Sequence, residues 1–408
     1  MKERSLRSYL LLPRPGDLVK AWIFPSTFLL GILSARDVSG RELVRAMVIW
    51  FALELLIYQA RYQWNDIRGF EADQRHPDRA ARGRLPGPPS RRREHVRASA
   101  LVVAGRLAAV AILAVALPAL DLAGTLFVLA VAVFGVAALY EALRARATGR
   151  SDRIPPRLSG GIFAIWAVVG AGYAIRALAG FAAAVDLFAS LWLPLAALVA
   201  AWAFGIAFVT ARWALEALAF GRCDESGAIS WEVTPHQARE HSLALVRWLP
   251  PAPEAAPASG ERSLGGWRAL SGRVSPLAPW NLAAIVSAAA AATTGRLLAA
   301  AAGLPEPALF AVAGGLCAAG VLVARRLRWA SLLAGAVVIA ALAALTGAPR
   351  PVLVVLPWLG TLGAHLFFTR QSPSTLVHPL RSTFAEARRR FSRASRQGGT
   401  MALPRRQA

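Results

Sequence analysis

The chain has 408 residues, 56% of them hydrophobic and 17% charged, with a mean hydropathy of +0.46. Soluble domains carry fewer apolar and more charged residues, so one or two water-soluble cores are excluded, and so is disorder. Its 46 basic residues against 23 acidic ones give a formal charge of +23, which taken alone points to nucleic acid. The distribution of that charge points elsewhere. Two cysteines, Cys223 and Cys317, are too few for a disulfide framework and lack metal-ligand spacing.

Apolar runs close to bilayer length fall at 21–36, 44–64, 98–117, 122–143, 161–183, 187–213, 279–302, 306–324, 329–346 and 351–369. The first follows Lys2, Arg4, Arg7, Arg14 and Lys20 and has no small-residue cleavage site, so it reads as a retained anchor. The connections then alternate. Segments 65–97 and 144–157 are rich in arginine, and 325–328 adds Arg325, Arg326 and Arg328, whereas 118–121, 184–186 and 303–305 hold no Lys or Arg. The positive-inside rule places the basic loops in the cytoplasm, and an even number of spans places both termini there. The expectation is an all-α polytopic bundle of nine or ten transmembrane helices in a bacterial inner membrane. The net charge then reports topology and contact with an anionic bilayer, and no nucleic-acid partner is expected.

Residues 1–250 hold the helices and loops that carry motifs, and 251–278 continue a Pro/Ala linker that begins at Pro250-Pro251. Residues 279–369 form the last spans. The basic tail 370–408 reads as solvated chain, with one amphipathic stretch at Thr383–Ala394.

The informative stretch ends the second span: Tyr62-Gln63-Trp64-Asn65-Asp66-Ile67-Arg68-Gly69-Phe70-Glu71-Ala72-Asp73, then His76-Pro77-Asp78-Arg79-Ala80-Ala81-Arg82. On a continuing helix, positions 62, 66, 69 and 73 share one face. Asp66 and Asp73 then lie roughly 10 Å apart along the axis. Such carboxylates suit a shared Mg²⁺–diphosphate site, because Mg²⁺ takes hard oxygen ligands and bridges one or two carboxylates to substrate phosphates. Arg79 and Arg82 are placed to hold phosphate oxygens. The alternative is that these acids only balance the local arginines on a wet loop.

This run resembles the first aspartate-rich motif of the UbiA superfamily of intramembrane prenyltransferases, Asn-Asp-x-x-Asp-x-x-x-Asp. Asn65, Asp66 and Asp73 match, and Gly69 stands at the middle aspartate, with Glu71 two residues on. The resemblance implies Mg²⁺ held by Asn65, Asp66 and Asp73, with Asp66 and Asp73 as the catalytic carboxylates. Asp73-x-x-His76-Pro77, Arg79 and Arg82 look like the branch of decaprenyl-phosphate phosphoribosyltransferases, with Arg79 for a lysine and Gly83 for a proline. Arg14-Pro15 with Lys20 resembles the entry motif. Tyr140-Glu141-Ala142-Leu143-Arg144 resembles a run after the fourth helix, and Arg176-Ala177-Leu178-Ala179-Gly180 one in the fifth. The second acidic motif is reduced to Glu216 after Arg212-Trp213-Ala214, and to Asp224 before Gly227-Ala228-Ile229-Ser230. The resemblance thus implies substrate contacts from Lys20, Tyr62, Asn65, Arg79, Arg82, Arg144, Arg212 and Glu216, and a further metal ligand in Asp224. The substrate implied is a polyprenyl phosphate or diphosphate.

Ionisable groups at membrane depth face a cavity or a partner. Glu54, Tyr58, Arg61 and Asn65 recur at helical steps, and Glu54 is expected to be neutralised by Arg61, Arg106 or Arg176. Arg296 is expected to snorkel to the outer interface. His76-Pro77 reads as a helix end, and His236 and His241 as loop residues. Two other classes stay open: a degenerate member that binds lipid or a partner without chemistry, and a transporter.

Overall fold

The computed structural model describes residues 4–13, 15–34, 38–76, 79–149, 154–187, 191–217, 220–223, 229–231, 239–249, 262–263, 275–300, 305–324 and 327–370. Two short helices, α1 (Leu6–Leu11) and α2 (Pro15–Ala21), lead into α3 (Ile23–Ser34). There follow α4 (Gly40–Gln74), α5 (Arg79–Arg82), α6 (Arg92–Ala116), α7 (Ala123–Arg146), α8 (Gly160–Ala182) and α9 (Trp192–Ala217). After α10 (Glu240–Leu243) come α11 (Pro279–Ala299), α12 (Pro305–Val323), α13 (Arg328–Leu345) and α14 (Pro351–Arg370). Among the described residues nine helices are long and apolar enough to cross a membrane, and the shorter apolar helix Val19–Ser34 precedes them. The protein is a multi-pass, all-α membrane bundle.

Local sequence sets the helix starts. Ser39 and Glu42 form a reciprocal capping box at α4. The Ser159 hydroxyl accepts from the Ile162 amide at α8. Proline opens α11, α12 and α14, where its missing N–H costs nothing. Large apolar side chains such as Leu101, Ile112, Phe127 and Val131 on α6 and α7 stay exposed. In a bilayer that surface faces lipid, and packing, not water exclusion, holds the helices together.

Small residues make that packing close. Trp358 of α14 is fully buried and donates its indole N–H to the Gly314 carbonyl of α12 at 3.0 Å. A Cβ at Gly335 of α13 would lie 2.7 Å from Trp358 Cη2. Gly335→Val is therefore expected to cost about 1–3 kcal/mol by overpacking, read as a lower melting temperature in detergent.

The two ends of the bundle are fastened differently. At the end holding the α3–α4 and α13–α14 turns, Ser34 Oγ donates to the Leu298 carbonyl at 2.6 Å. Arg350 Nη1 donates to the Leu33 and Ser34 carbonyls, each at 2.9 Å. Arg296 does not snorkel: it is buried and ion-paired with Glu306 in the first turn of α12, a partly exposed carboxylate that holds the guanidinium against the protein. The opposite, arginine-rich end carries the loops after α4 and α7.

Part of the expected 251–278 linker joins a small sheet. Strands β1 (Gly221–Cys223), β2 (Ile229–Trp231) and β3 (Arg262–Ser263) form an antiparallel sheet in the order β2-β1-β3. Residues 239–249 pack on α8 and α9 through Ala244, Leu245 and Trp248. The run Pro250–Pro257 and the tail stretch Thr383–Ala394 lie outside the described residues.

Candidate functional site

The second membrane helix contains a π segment, Ala52–Ile57, after which the Tyr58 N–H bonds back to the Leu53 carbonyl. Steps of four residues drift around an ideal helix, and the wider π turn takes up part of that drift. The face that finds partners is consequently Glu54, Tyr58, Tyr62 and Asp66, not the Glu54–Tyr58–Arg61–Asn65 stripe expected from an unbroken 3.6-residue repeat. Glu54 pairs with Arg176 of α8: Nε to Oε1 is 2.7 Å and Nη2 to Oε2 is 3.1 Å. The same guanidinium lies 3.3 Å from the Tyr58 ring centroid and donates to the Tyr62 hydroxyl at 3.3 Å. Arg106 is not Glu54's partner; it donates to Gln63 Oε1 at 2.7 Å and to the Leu10 carbonyl at 3.0 Å.

The helix ends at Gln74 and the chain turns back. Gly83 takes a left-handed φ of 58°, where a Cβ would be strained. Leu85 then buries against Tyr9 and Phe70, and Gln74 Nε2 donates to the Leu85 carbonyl at 2.9 Å. This anchor presents two arginines to the acids above. Arg84 Nη1 donates to Asp66 Oδ1 at 2.7 Å, and its Nε lies 4.0 Å from Asp73 Oδ1. Arg82 Nη1 donates to Asp73 Oδ1 at 2.9 Å, and its Nη2 lies 3.7 Å from Glu216 Oε2 on α9. The result is a continuous chain, Asp66–Arg84–Asp73–Arg82–Glu216, of three carboxylates and two guanidiniums. Asp66 is 1% exposed, and the Tyr9 hydroxyl donates to its other oxygen at 3.2 Å.

The remaining candidates take varied places. Asn65 is half-buried beside Asp66. Lys20 pairs with Asp17 at 3.2 Å and lies 5.1 Å from the Tyr62 ring centroid. Arg212 is half-buried and acts on Glu216 one turn along α9. Arg144 donates to Glu141 Oε2 at 2.7 Å. Arg79 is exposed and outside the chain of ion pairs. Glu71 points away to Arg92, at 2.6 Å on the open surface, and does not stand in for the missing aspartate. A Cβ at Gly69 would instead lie 3.3 Å from Asp73 Oδ2, so that position faces the site. Asp224 and His236 lie outside the described residues.

Sequence reasoning missed Arg84, Tyr9 and His241. Arg84 was legible only as another basic loop residue, and Tyr9 lies 57 positions from its partner. His241 is not a loop residue: it sits on α10, 3% exposed, edge-on to Trp213 at 4.8 Å. Burial, with Arg144 and Arg239 nearby, lowers its pKa to about 3. Burial and the cations of Arg82 and Arg84 lower that of His76 to about 4, against an opposing pull from Glu216.

Both folded values lie below the ordinary 6.5, so the unfolded chain binds protons the folded one refuses. That contribution to stability is complete above pH 6.5 and is lost as pH falls through about 4 for His76 and about 3 for His241. The melting temperature in detergent is expected to drop over this window, and to drop less in a His76→Gln/His241→Gln double variant. An equal drop in both proteins would contradict the assignment.

Compared with known families, curated proteins and solved structures, the chain matches no family model, no curated protein and no solved structure. The chemistry of the site itself carries the functional argument.

Proposed function

We propose that the chain is a Mg²⁺-dependent integral-membrane transferase of the UbiA type, acting on a polyprenyl phosphate or diphosphate at the cytoplasmic face of a bacterial inner membrane. The observation that carries this reading is the Asp66–Arg84–Asp73–Arg82–Glu216 chain at the arginine-rich end of an apolar bundle. Apolar walls suit an isoprenoid, and guanidiniums suit its phosphate. Asp66 and Asp73 fit Mg²⁺ in one form. Among the described residues, no three Asp, Glu, His or Cys side chains are grouped to hold a metal ion, so a bare cation has no cage. Mg²⁺ needs only one or two carboxylates once substrate phosphates complete its shell, and Asp66 and Asp73 supply those, with Asn65 adjacent.

When bound, the ion would offset negative charge on a departing diphosphate. Arg84 and Arg82 exchange Asp66 and Asp73 for phosphate oxygens, so the resting ion pairs keep the arginines oriented for the ligand. Glu216 and Arg212 approach from α9, and Lys20 lies over Tyr62, one turn before Asp66. In prenyl transfer the isoprenoid is the donor. In phosphoribosyl transfer it is the acceptor, and phosphoribosyl pyrophosphate supplies the diphosphate.

The arginine pairing of both carboxylates, with glycine at position 69, favours a second reading: a lipid-phosphate-binding protein without chemistry. Turnover by the purified chain in detergent separates the two, with Mg²⁺ present or chelated. One mixture holds labelled phosphoribosyl pyrophosphate with polyprenyl phosphate, the other polyprenyl diphosphate with aromatic acceptors. A labelled lipid product that needs Mg²⁺ and vanishes in Asp66→Asn supports the transferase. Silence in both mixtures, from folded protein, leaves the binding protein.

A further inference from the structure

The arginines at the basic end of the bundle are not all committed to acids. Arg68, Arg82, Arg84, Arg92 and Arg144 each hold a carboxylate. Arg93 and Arg97, in the first two turns of α6, are exposed and make no ion pair or hydrogen bond among the described residues. At about 100° per residue, Arg93, Arg97, Ala100, Ala104, Ala108 and Ala111 fall within one arc of about 80°. All six are exposed. The side chains that bind α6 to the bundle, His95, Ser99, Arg106 and Val110, lie on the opposite side of the helix. Glu94, the acid of the first turn, falls outside the arc. Of the nine spans α6 is also the least covered by the rest of the protein. Two cations without partners thus head a bare apolar face.

That face has the dimensions of a lipid chain. Ala100 to Ala111 rises about 16 Å, close to one leaflet of a hydrocarbon core about 30 Å thick. Leu101 and Ile112, each 65% exposed, stand along one side of the alanine row, and Val115, 80% exposed, ends it. Methyl groups beside these larger side chains leave a shallow trough along the helix. We propose that this face of α6 seats one anionic glycerophospholipid, with its phosphate between Arg93 and Arg97 and an acyl chain along the alanine row. Guanidiniums are the side chains best matched to phosphate oxygens, and basic residues at a membrane surface draw anionic lipid. A protein helix packed on the alanines has no need of the arginines, and a free phosphate has no need of the alanines. A phospholipid uses both. The seat lies on the side of α6 turned away from α4 and Asp66, so it does not rest on the transferase reading.

The test is native mass spectrometry of the purified full chain in detergent, titrated with phosphatidylglycerol. Separate arms use phosphatidylcholine with the same acyl chains, and inorganic phosphate. One phosphatidylglycerol is expected to bind about 10-fold more tightly than phosphatidylcholine, the attraction of two arginines for an anionic head. Arg93→Gln/Arg97→Gln should remove that preference and keep the weaker binding of both lipids. Arg75→Gln/Arg146→Gln takes the same charge from exposed arginines at the same end and should leave the preference intact. Ala104→Phe/Ala108→Phe fills the trough and should weaken both lipids. All these positions are exposed, and an unchanged circular dichroism melt shows that the variants fold. Equal affinity for the two lipids, or an equal loss in both arginine variants, overturns the seat. Phosphate that binds as tightly as phosphatidylglycerol overturns the lipid as occupant. A mass of two chains that reverts to one in Ala104→Phe/Ala108→Phe would overturn it too, and assign the face to a second copy of the chain. Turnover lost in Asp66→Asn, with phosphatidylglycerol binding intact, would bear only on the transferase reading.

Discussion

Arg176→Met is expected to lower the stability of the folded bundle by about 3–5 kcal/mol, the cost of stripping one partner from a buried ion pair. Arg176 and Glu54 are 1% and 2% exposed, and the guanidinium holds both carboxylate oxygens. Its removal leaves Glu54 alone among apolar helices and takes away the cation over the Tyr58 ring. The pair should not be worth that much when both members go together. Glu54→Leu/Arg176→Met, which buries no lone charge, is expected to recover a large part of the loss. Equilibrium unfolding in mixed detergent micelles reads both numbers. Additive losses in the double variant would show that the two residues act separately.

Asp66→Asn is expected to reduce Mg²⁺-dependent diphosphate binding, and any turnover that depends on it, on the order of 10²-fold or more. The amide keeps the shape and loses the charge that holds Arg84 at 2.7 Å. Burial alone would depress the Arg84 pKa, but Asp66 and Asp73 raise it well above its usual value, so this cation depends on its acids. Glu71→Gln is the matched control, because Glu71 pairs with Arg92 on the open surface and should leave binding unchanged. Titration with inorganic pyrophosphate, with and without Mg²⁺, measures both variants. Equal effects of the two substitutions would place the site elsewhere.

The spans were legible because a bilayer demands long apolar runs and tolerates few charges. The run at 279–302 became α11 at Pro279–Ala299, and that at 329–346 became α13 at Arg328–Leu345. Tyr62, Asp66 and Asp73 were legible as one helical face because their spacing is local. The π segment was not, since nothing in Ala52–Ile57 distinguishes it from an ordinary turn. Its wider turn is why Tyr62 and Asp66, and not Arg61 and Asn65, continue the face from Glu54. Arg84 and Tyr9 were hidden because their contacts depend on a turn at Gly83 and on a helix that starts far away in sequence. His241 was misread because burial of a short polar segment depends on the aromatic surface it meets, here Tyr140, Trp166 and Trp213.

The fastenings at the two ends of the bundle have a chemical consequence. Ser34 ties α3 to α11, and Arg350, just before α14, ties that helix to α3, each through backbone carbonyls. At the other end the ties are Arg82 and Arg84 on carboxylates, and under the proposed function a substrate phosphate would be an equal partner for those arginines. The two ends therefore differ in what holds them: uncharged carbonyl contacts at the tied turns, and at Asp66, Asp73 and Glu216 ion pairs of the kind that a ligand of the proposed class would compete for.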